Sequence, residues 1–229
     1  MSEYKNIYNT DYYQNHRNNT ISFLFNEQNK KSSETLELNA EFTLKSTEYT
    51  SSDLKTAYLQ ELISPDGTVF FSWHLLDNHD FTDFTQIFTH SDKKLYLIYK
   101  EDLYGYSVLR ISDRKSLHYI PQGTICNANF IGESFIMTDF HYCAENNYAA
   151  AGGCYWAYPY DVALLDFTDP LNAPKKIPVL HNIIDPANEN DALDDIDFVK
   201  WENSCLIAEA DSIKEYFRFT PENLRLFLK

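Results

Sequence analysis

The segment FTQIFTHSDKKLYLIYKEDLYGYSVLRISDRKSLHYI, residues 84–120, decides the predicted fold of this chain. It contains four short runs rich in aromatic and β-branched residues, separated by polar turns such as HSDK and SDRKS. Runs of this composition and length are typical of strands. The predicted strands cover residues 84–89, 94–99, 106–111 and 117–120, so the segment is predicted to be one four-stranded unit.

Two similar units follow at a spacing of about 40 residues, which is in the range of repeating all-β units. The second predicted unit has strands at 128–131, 134–140, 161–167 and 176–180, and residues 141–160 form a long insertion within it. The third predicted unit has strands at 196–201, 205–209, 215–219 and 224–228.

The part of the chain before residue 84 is less regular. Residues 1–19 are polar and predict an irregular entry segment, followed by strands at 21–25 and 36–44, the latter with alternating apolar and polar residues. Residues 51–63 fit either a helix that begins at Ser51 or Ser52, or a strand at 57–63. A tight turn at Ser64-Pro65-Asp66-Gly67 then leads into an apolar run at 68–76.

Two segments resemble repeats of β-propeller proteins. Ser64-Pro65-Asp66-Gly67 is similar to a hairpin found in propellers, and the segment from Val162 to Pro170 resembles the outer edge of a blade. This resemblance implies an all-β, small propeller-like fold of about five blades, formed by a single domain over residues 1–229. The alternative is an α+β domain with helices at 51–62 and 220–228, the second one capped by Thr220 with Pro221 in its first turn.

The composition excludes several classes of protein. An apolar fraction of 44% is ordinary for a globular chain, and six glycines leave little material for phosphate-binding loops. Nucleophile elbows, Walker loops and dinucleotide fingerprints are missing from the sequence, so we expect no catalytic residues and no cofactor. No run approaches the length of a membrane span, and residues 1–20 lack the apolar segment of a signal peptide. We therefore expect a cytoplasmic protein with reduced cysteines.

Three segments contain residues that can bind metal, but none has a matching spacing. Cys143 and Cys154 are too far apart for a zinc pair, so a loop with two thiols, a disulfide and a metal site all stay open. The segment 74–83 is rich in His and Asp without a motif, and the acidic segment 185–197 lacks the glycine of an EF-hand. We predict no metal site.

Charge is the feature that points to a partner. The chain carries a net charge of −15, and between Lys115 and Lys200 its only basic residues are Lys175 and Lys176, against twelve acidic residues. A field of one sign attracts basic proteins, repels nucleic acid and speeds association. We therefore expect a basic protein partner and no binding to nucleic acid or membranes.

An acidic, small, catalytically silent protein fits the profile of a bacterial immunity protein, which neutralises the basic nuclease domain of a toxin by covering its active site. A propeller-type hydrolase acting on a glycan or small molecule, and a non-catalytic scaffold or sensor domain, are the alternatives. The predicted interface combines an acidic loop with an aromatic insertion: Asp185, Glu189, Asp191, Asp194, Asp195, Asp197, Glu145, Tyr148, Tyr155, Trp156 and Tyr158.

Overall fold

The computed structural model describes residues 5–78, 83–122, 134–156, 158–187 and 193–228. The protein is all-β in character, with 45% of its residues in strands and 14% in helices. Within the described ranges the strands form four antiparallel sheets, and each sheet is built from consecutive stretches of the chain. Within the described residues, no helix is both long and apolar enough to cross a bilayer.

The first two sheets are simple meanders of four strands each. The first sheet consists of β1 (Lys30–Asn39), β2 (Phe42–Thr50), β3 (Thr56–Ile63) and β4 (Val69–Leu75). The second sheet consists of β5 (Gln86–Thr89), β6 (Leu95–Tyr99), β7 (Tyr106–Arg110) and β8 (Ser116–Tyr119). The unit predicted at 84–120 is confirmed, strand by strand, and so is the strand alternative for residues 57–63.

The other two sheets contain the acidic part of the chain. The third sheet consists of β9 (Ile136–Met137), β10 (His141–Cys143), β11 (Tyr148–Cys154) and β12 (Tyr160–Asp166). The fourth sheet consists of β13 (Ile196–Glu202), β14 (Cys205–Ala210) and β15 (Glu215–Phe219). The predicted strand at 128–131 lies outside the described residues.

The sheets pack face to face in sequence order. On β6, Leu97 and Tyr99 pack against the first sheet, while the alternate residues Tyr96 and Ile98 pack against the third. β12 likewise contributes alternate residues to the cores on its two sides. Because both faces of these strands are buried, their sequences are continuous apolar runs and do not alternate between apolar and polar residues.

Three helices complete the described structure. They are α1 (Asp11–Leu24), α2 (Leu180–Ile184) and α3 (Pro221–Leu228). The prediction of an irregular segment at 1–19 is wrong for its second half, and the strand predicted at 21–25 is the end of α1. Thr10 begins α1 by accepting a hydrogen bond from the backbone N–H of Tyr13.

Further predictions differ from the structure. The strand predicted at 36–44 is a hairpin, because Asn39 accepts hydrogen bonds from the N–H groups of Glu41 and Phe42 and turns the chain there. Residues 141–160 are not an insertion, since β10 and β11 lie within the third sheet. The last predicted strand is α3, in which Thr220 and Asn223 cap each other as the helical alternative requires.

A buried ion pair joins α1 to the first two sheets. Arg17 lies 3.2 Å from a carboxylate oxygen of Glu101, and their side chains are only 8% and 4% exposed. Arg17 also donates to the carbonyl of His74 on β4, and the carbonyl of Glu101 accepts from the N–H of Leu76. His118 and Ser107 bind the other carboxylate oxygen, so Glu101 contacts α1, β7, β8 and the residue that follows β4.

Replacing Arg17 by leucine should therefore destabilise the fold strongly. The substitution leaves the Glu101 carboxylate buried without its cation, which costs about 3–5 kcal/mol. Urea denaturation followed by circular dichroism measures the free energy of unfolding.

Arg218→Leu is the matched control, because Arg218 pairs with Glu202 at a site where both side chains are more than 40% exposed. An exposed pair contributes about 0–1 kcal/mol, so this variant should resemble the native protein. Equal losses in the two variants would contradict a special role for Arg17.

Asp102 should make the stability depend on pH. Desolvation by burial raises its pKa from 3.8 to about 7, despite hydrogen bonds from the N–H of Leu103 and from Tyr13. Between those values the folded protein binds a proton that the unfolded chain has released, so stability decreases as pH rises. Asp102→Asn should thus be more stable than the native protein at pH 8 and similar to it at pH 4, as thermal denaturation can test. A pH-independent difference would contradict this assignment.

Candidate functional site

Acidic residues on the outer face of the fourth sheet oppose one another across two strands. Asp197 on β13 is directly opposite Glu209 on β14. One step further along the same face, the N–H of Asp211 donates to the carbonyl of Asp195. Like charges directly opposite each other destabilise a sheet. This face therefore has a charge pattern that folding alone does not favour.

The carboxylates are close enough to influence one another. The pKa of Asp197 is raised, first by desolvation and then by the negative charges of neighbouring acids: Asp195, Asp211, Asp139 and Glu209. Lys214 forms an ion pair with Asp211 at the end of the sheet. One lysine does not balance these carboxylates, so the face stays anionic.

An exposed aromatic loop lies beside these acids. The loop connects β11 to β12 and contains Trp156 and Tyr158, and Tyr160 follows as the first residue of β12. Their exposed fractions are 64%, 68% and 48%. The N–H of Tyr160 donates to a carboxylate oxygen of Asp195 at 2.7 Å, which fixes this end of the loop against the acids. We call the combined region the acidic–aromatic surface: Trp156, Tyr158, Tyr160, Asp194, Asp195, Asp197, Glu209 and Asp211.

The predicted interface is only partly brought together. Asp194, Asp195, Asp197, Trp156 and Tyr158 all belong to the acidic–aromatic surface. Asp185 follows α2 and is partly buried, and Glu189 and Asp191 lie outside the described residues.

The other predicted residues lie elsewhere. Tyr155 packs edge-on against Phe135 at the margin of the core, so little of it is free to bind a partner. Tyr148 begins β11 and pairs with Asp166, whereas the aromatic loop follows the far end of that strand. Glu145 is at the same end as Tyr148 and binds Ser204 in the β13–β14 turn. The length of β11 therefore separates Glu145 and Tyr148 from the loop, and their part in the interface stays a prediction.

The distance along β11 between Cys143 and Cys154 also decides among a disulfide, a shared metal site and two free thiols. Cys143 pairs with Tyr148 at one end of β11, and Cys154 is the last residue at the other end. Six residues of strand span roughly 20 Å, far beyond the reach of a disulfide. Both cysteines are free thiols. Among the described residues, no group of three His, Cys, Asp or Glu side chains is arranged to bind a metal.

Sequence reasoning missed three members of the surface. Glu209 and Asp211 are far from the acidic loop in sequence, and only the register of β13 with β14 places them beside Asp197 and Asp195. The two-residue turn after Glu202 would by itself place Ala210 opposite Asp197, and the register shift between Phe198 and Lys200 places Glu209 there instead. The predicted strands at 196–201 and 205–209 therefore did not contain this pairing. Trp156, Tyr158 and Tyr160 are at alternate positions, so this spacing of aromatic residues could have identified Tyr160 as well.

No family model, curated protein or solved structure matches this chain. Its function is therefore inferred from the geometry of the surface.

The charge repulsion on the fourth sheet predicts an unusual stability effect. Asp197→Asn removes one of several mutually repelling carboxylates, so it should raise the melting temperature at low ionic strength. The gain should shrink at high salt, because salt screens exposed charges. Differential scanning calorimetry at two salt concentrations measures both effects.

Glu202→Gln provides the comparison within the same sheet. Glu202 is paired with both Lys200 and Arg218, so its neutralisation should lower the melting temperature slightly. A loss of stability in Asp197→Asn equal to that in Glu202→Gln would show that the acids on this face do not repel one another.

Proposed function

We propose that this protein is an acidic inhibitor, a bacterial immunity protein that neutralises the basic nuclease domain of a toxin by covering its active site. The observation that carries the proposal is the row of opposed carboxylates on the outer face of the fourth sheet, next to an exposed aromatic loop. Retaining repulsive pairs costs stability, which favours a role in binding over a role in folding.

Carboxylates suit a nuclease partner for an electrostatic reason. A nuclease needs a positive surface to bind phosphates, and an inhibitor can present carboxylates in the same positions. Complementary fields accelerate association, while a desolvated centre slows dissociation. Exposed Trp156 and Tyr158 supply that centre, since Trp and Tyr are the residues that most often dominate binding energy.

The architecture suits such a surface. We propose that the four sheets correspond to the blades of a small propeller-like stack that is open between the fourth sheet and the first, in keeping with their sequential, face-to-face packing. A fifth blade would need strands before β1, where α1 is found instead. The fourth sheet is the last in the described stack, so its outer face is available to a partner.

The proposal predicts separate kinetic effects for the two parts of the surface. Purified basic nuclease domains of bacterial toxins are the probes, with nuclease activity and surface plasmon resonance as readouts. Asp197→Asn combined with Glu209→Gln should slow association on the order of tenfold at low salt and much less at high salt. Trp156→Ala should mainly speed dissociation, by on the order of thirtyfold for the loss of a dominant contact.

A control with the same change in net charge separates local from global electrostatics. Glu34 and Glu37 are exposed on β1 in the first sheet, so Glu34→Gln combined with Glu37→Gln should leave association nearly unchanged. Equal slowing by the two double variants would contradict a localised interface. A panel in which no nuclease is inhibited would overturn the proposal, and a stable complex with an active nuclease would identify a scaffold instead.

A further inference from the structure

A chain of hydrogen bonds leads from buried Glu101 to the surface of the second sheet. A carboxylate oxygen of Glu101 lies 2.9 Å from Nδ1 of His118, and Nε2 of the same ring lies 2.8 Å from Oγ of Ser116. A carboxylate can only accept, so Nδ1 carries the ring proton and donates it to Glu101. In this tautomer Nε2 is the acceptor, and the hydroxyl of Ser116 donates to it.

The carboxylate and the ring are both fixed in place. Arg17 binds one oxygen of Glu101, and Ser107 donates to the other oxygen at 3.0 Å. Burial alone would raise the pKa of Glu101, but the hydrogen bond from His118 and the charge of Arg17 outweigh it and lower the pKa. Tyr8 stacks on the imidazole with ring centroids 4.3 Å apart and planes 9° from parallel. The ring can therefore neither flip nor swing away without breaking these contacts.

The chain ends at an accessible hydroxyl. Ser116 is exposed, His118 is partly exposed and Glu101 is buried, so solvent exposure increases from the carboxylate of Glu101 to the hydroxyl of Ser116. Ser116 and His118 are two residues apart on β8, which places both side chains on one face of the strand. β8 is an outer strand of its sheet. Among the described residues, Asn6 donates to the carbonyl of His118, and Ile7 donates to that of Ile120, just beyond the strand.

We propose that Ser116, His118 and Glu101 form a nucleophile, base and acid that cleave small carboxylic esters. Each neighbouring pair in this order is within hydrogen-bond distance, and the two contacts of the ring use opposite nitrogens, as such a relay requires. The activity is separate from the proposed inhibition, since it belongs to the second sheet and the acidic–aromatic surface belongs to the third and fourth.

The reaction balances without an added cofactor. Oγ of Ser116 forms a bond to the ester carbonyl carbon as its proton passes to Nε2 of His118, and Glu101 stabilises the resulting imidazolium. The carbon–oxygen bond to the alcohol breaks, and the leaving oxygen takes the proton from Nε2. Water then gives a proton to Nε2 and its oxygen to the acyl carbon. The acid product leaves as the serine hydroxyl recovers its proton.

The open position of Ser116 limits the substrate. Substrates approach Ser116 from solvent, because it is exposed on an outer strand. The protein therefore encloses little of a bound acyl group, and a large acyl group would gain few contacts there. We therefore assign small, activated esters as the substrate class.

Covalent labelling with a fluorophosphonate probe tests the assignment directly. The probe should modify Ser116, as peptide mass spectrometry can show, and Ser116→Ala should abolish that label. Ser112→Ala is the matched control, because Ser112 is an exposed serine in the β7–β8 turn and has no place in the relay. Its labelling at Ser116 should equal that of the native protein.

The role of the base needs a second variant. His118→Gln should reduce the rate of labelling at Ser116 on the order of a hundredfold, within the range that general-base catalysis contributes. Its melting temperature shows whether the variant is folded, and hydrolysis of phenyl acetate by the native protein gives an independent readout. Labelling of Ser116 no faster than that of Ser112, or a rate unaffected by His118→Gln in folded protein, would show that the network is structural only.

Discussion

The carboxylate of Glu101 is the contact on which the arrangement of the first half of the molecule depends. Glu101 lies two residues after the end of β6. Its carboxylate binds Arg17 from α1, His118 from β8 and Ser107 from β7, and its backbone carbonyl accepts from the N–H of Leu76, just after β4. A buried charge is tolerated only when it is fully paired. These partners therefore set the position of α1 and of two sheets relative to one another, beyond what apolar packing requires.

The sequence predicts the sheets best where the turns are polar and the strands have large side chains. The unit at 84–120 meets both conditions, and all four of its strands are found. The prediction of strands fails for β11, because residues 149–153 include no large apolar side chain. The structure shows why those residues are small: a Cβ on Gly152 would lie 2.5 Å from the Asp139 carboxylate, and the alanines pack into cores on both faces.

The helix α1 escapes prediction for a different reason. Its buried residues are Tyr13, Arg17 and Leu24, which do not form an apolar stripe. Tertiary pairing with a residue far along the chain stabilises it, and single-sequence patterns contain no such information. The acidic–aromatic surface could be predicted in part. Those of its residues that are close together in sequence were predicted, whereas Glu209 and Asp211 join the surface only through strand register.

The distance in sequence between Arg17 and Glu101 has a consequence for biosynthesis. Apart from the pairing of β9 with β11, each sheet pairs strands that follow one another in the chain, so it can form soon after its residues leave the ribosome. Arg17 of α1 is made before its partner Glu101, which lies 84 positions later. At ~5–20 residues per second this delay is on the order of ten seconds. During translation, Arg17 therefore stays without its buried counter-ion until the second sheet has emerged.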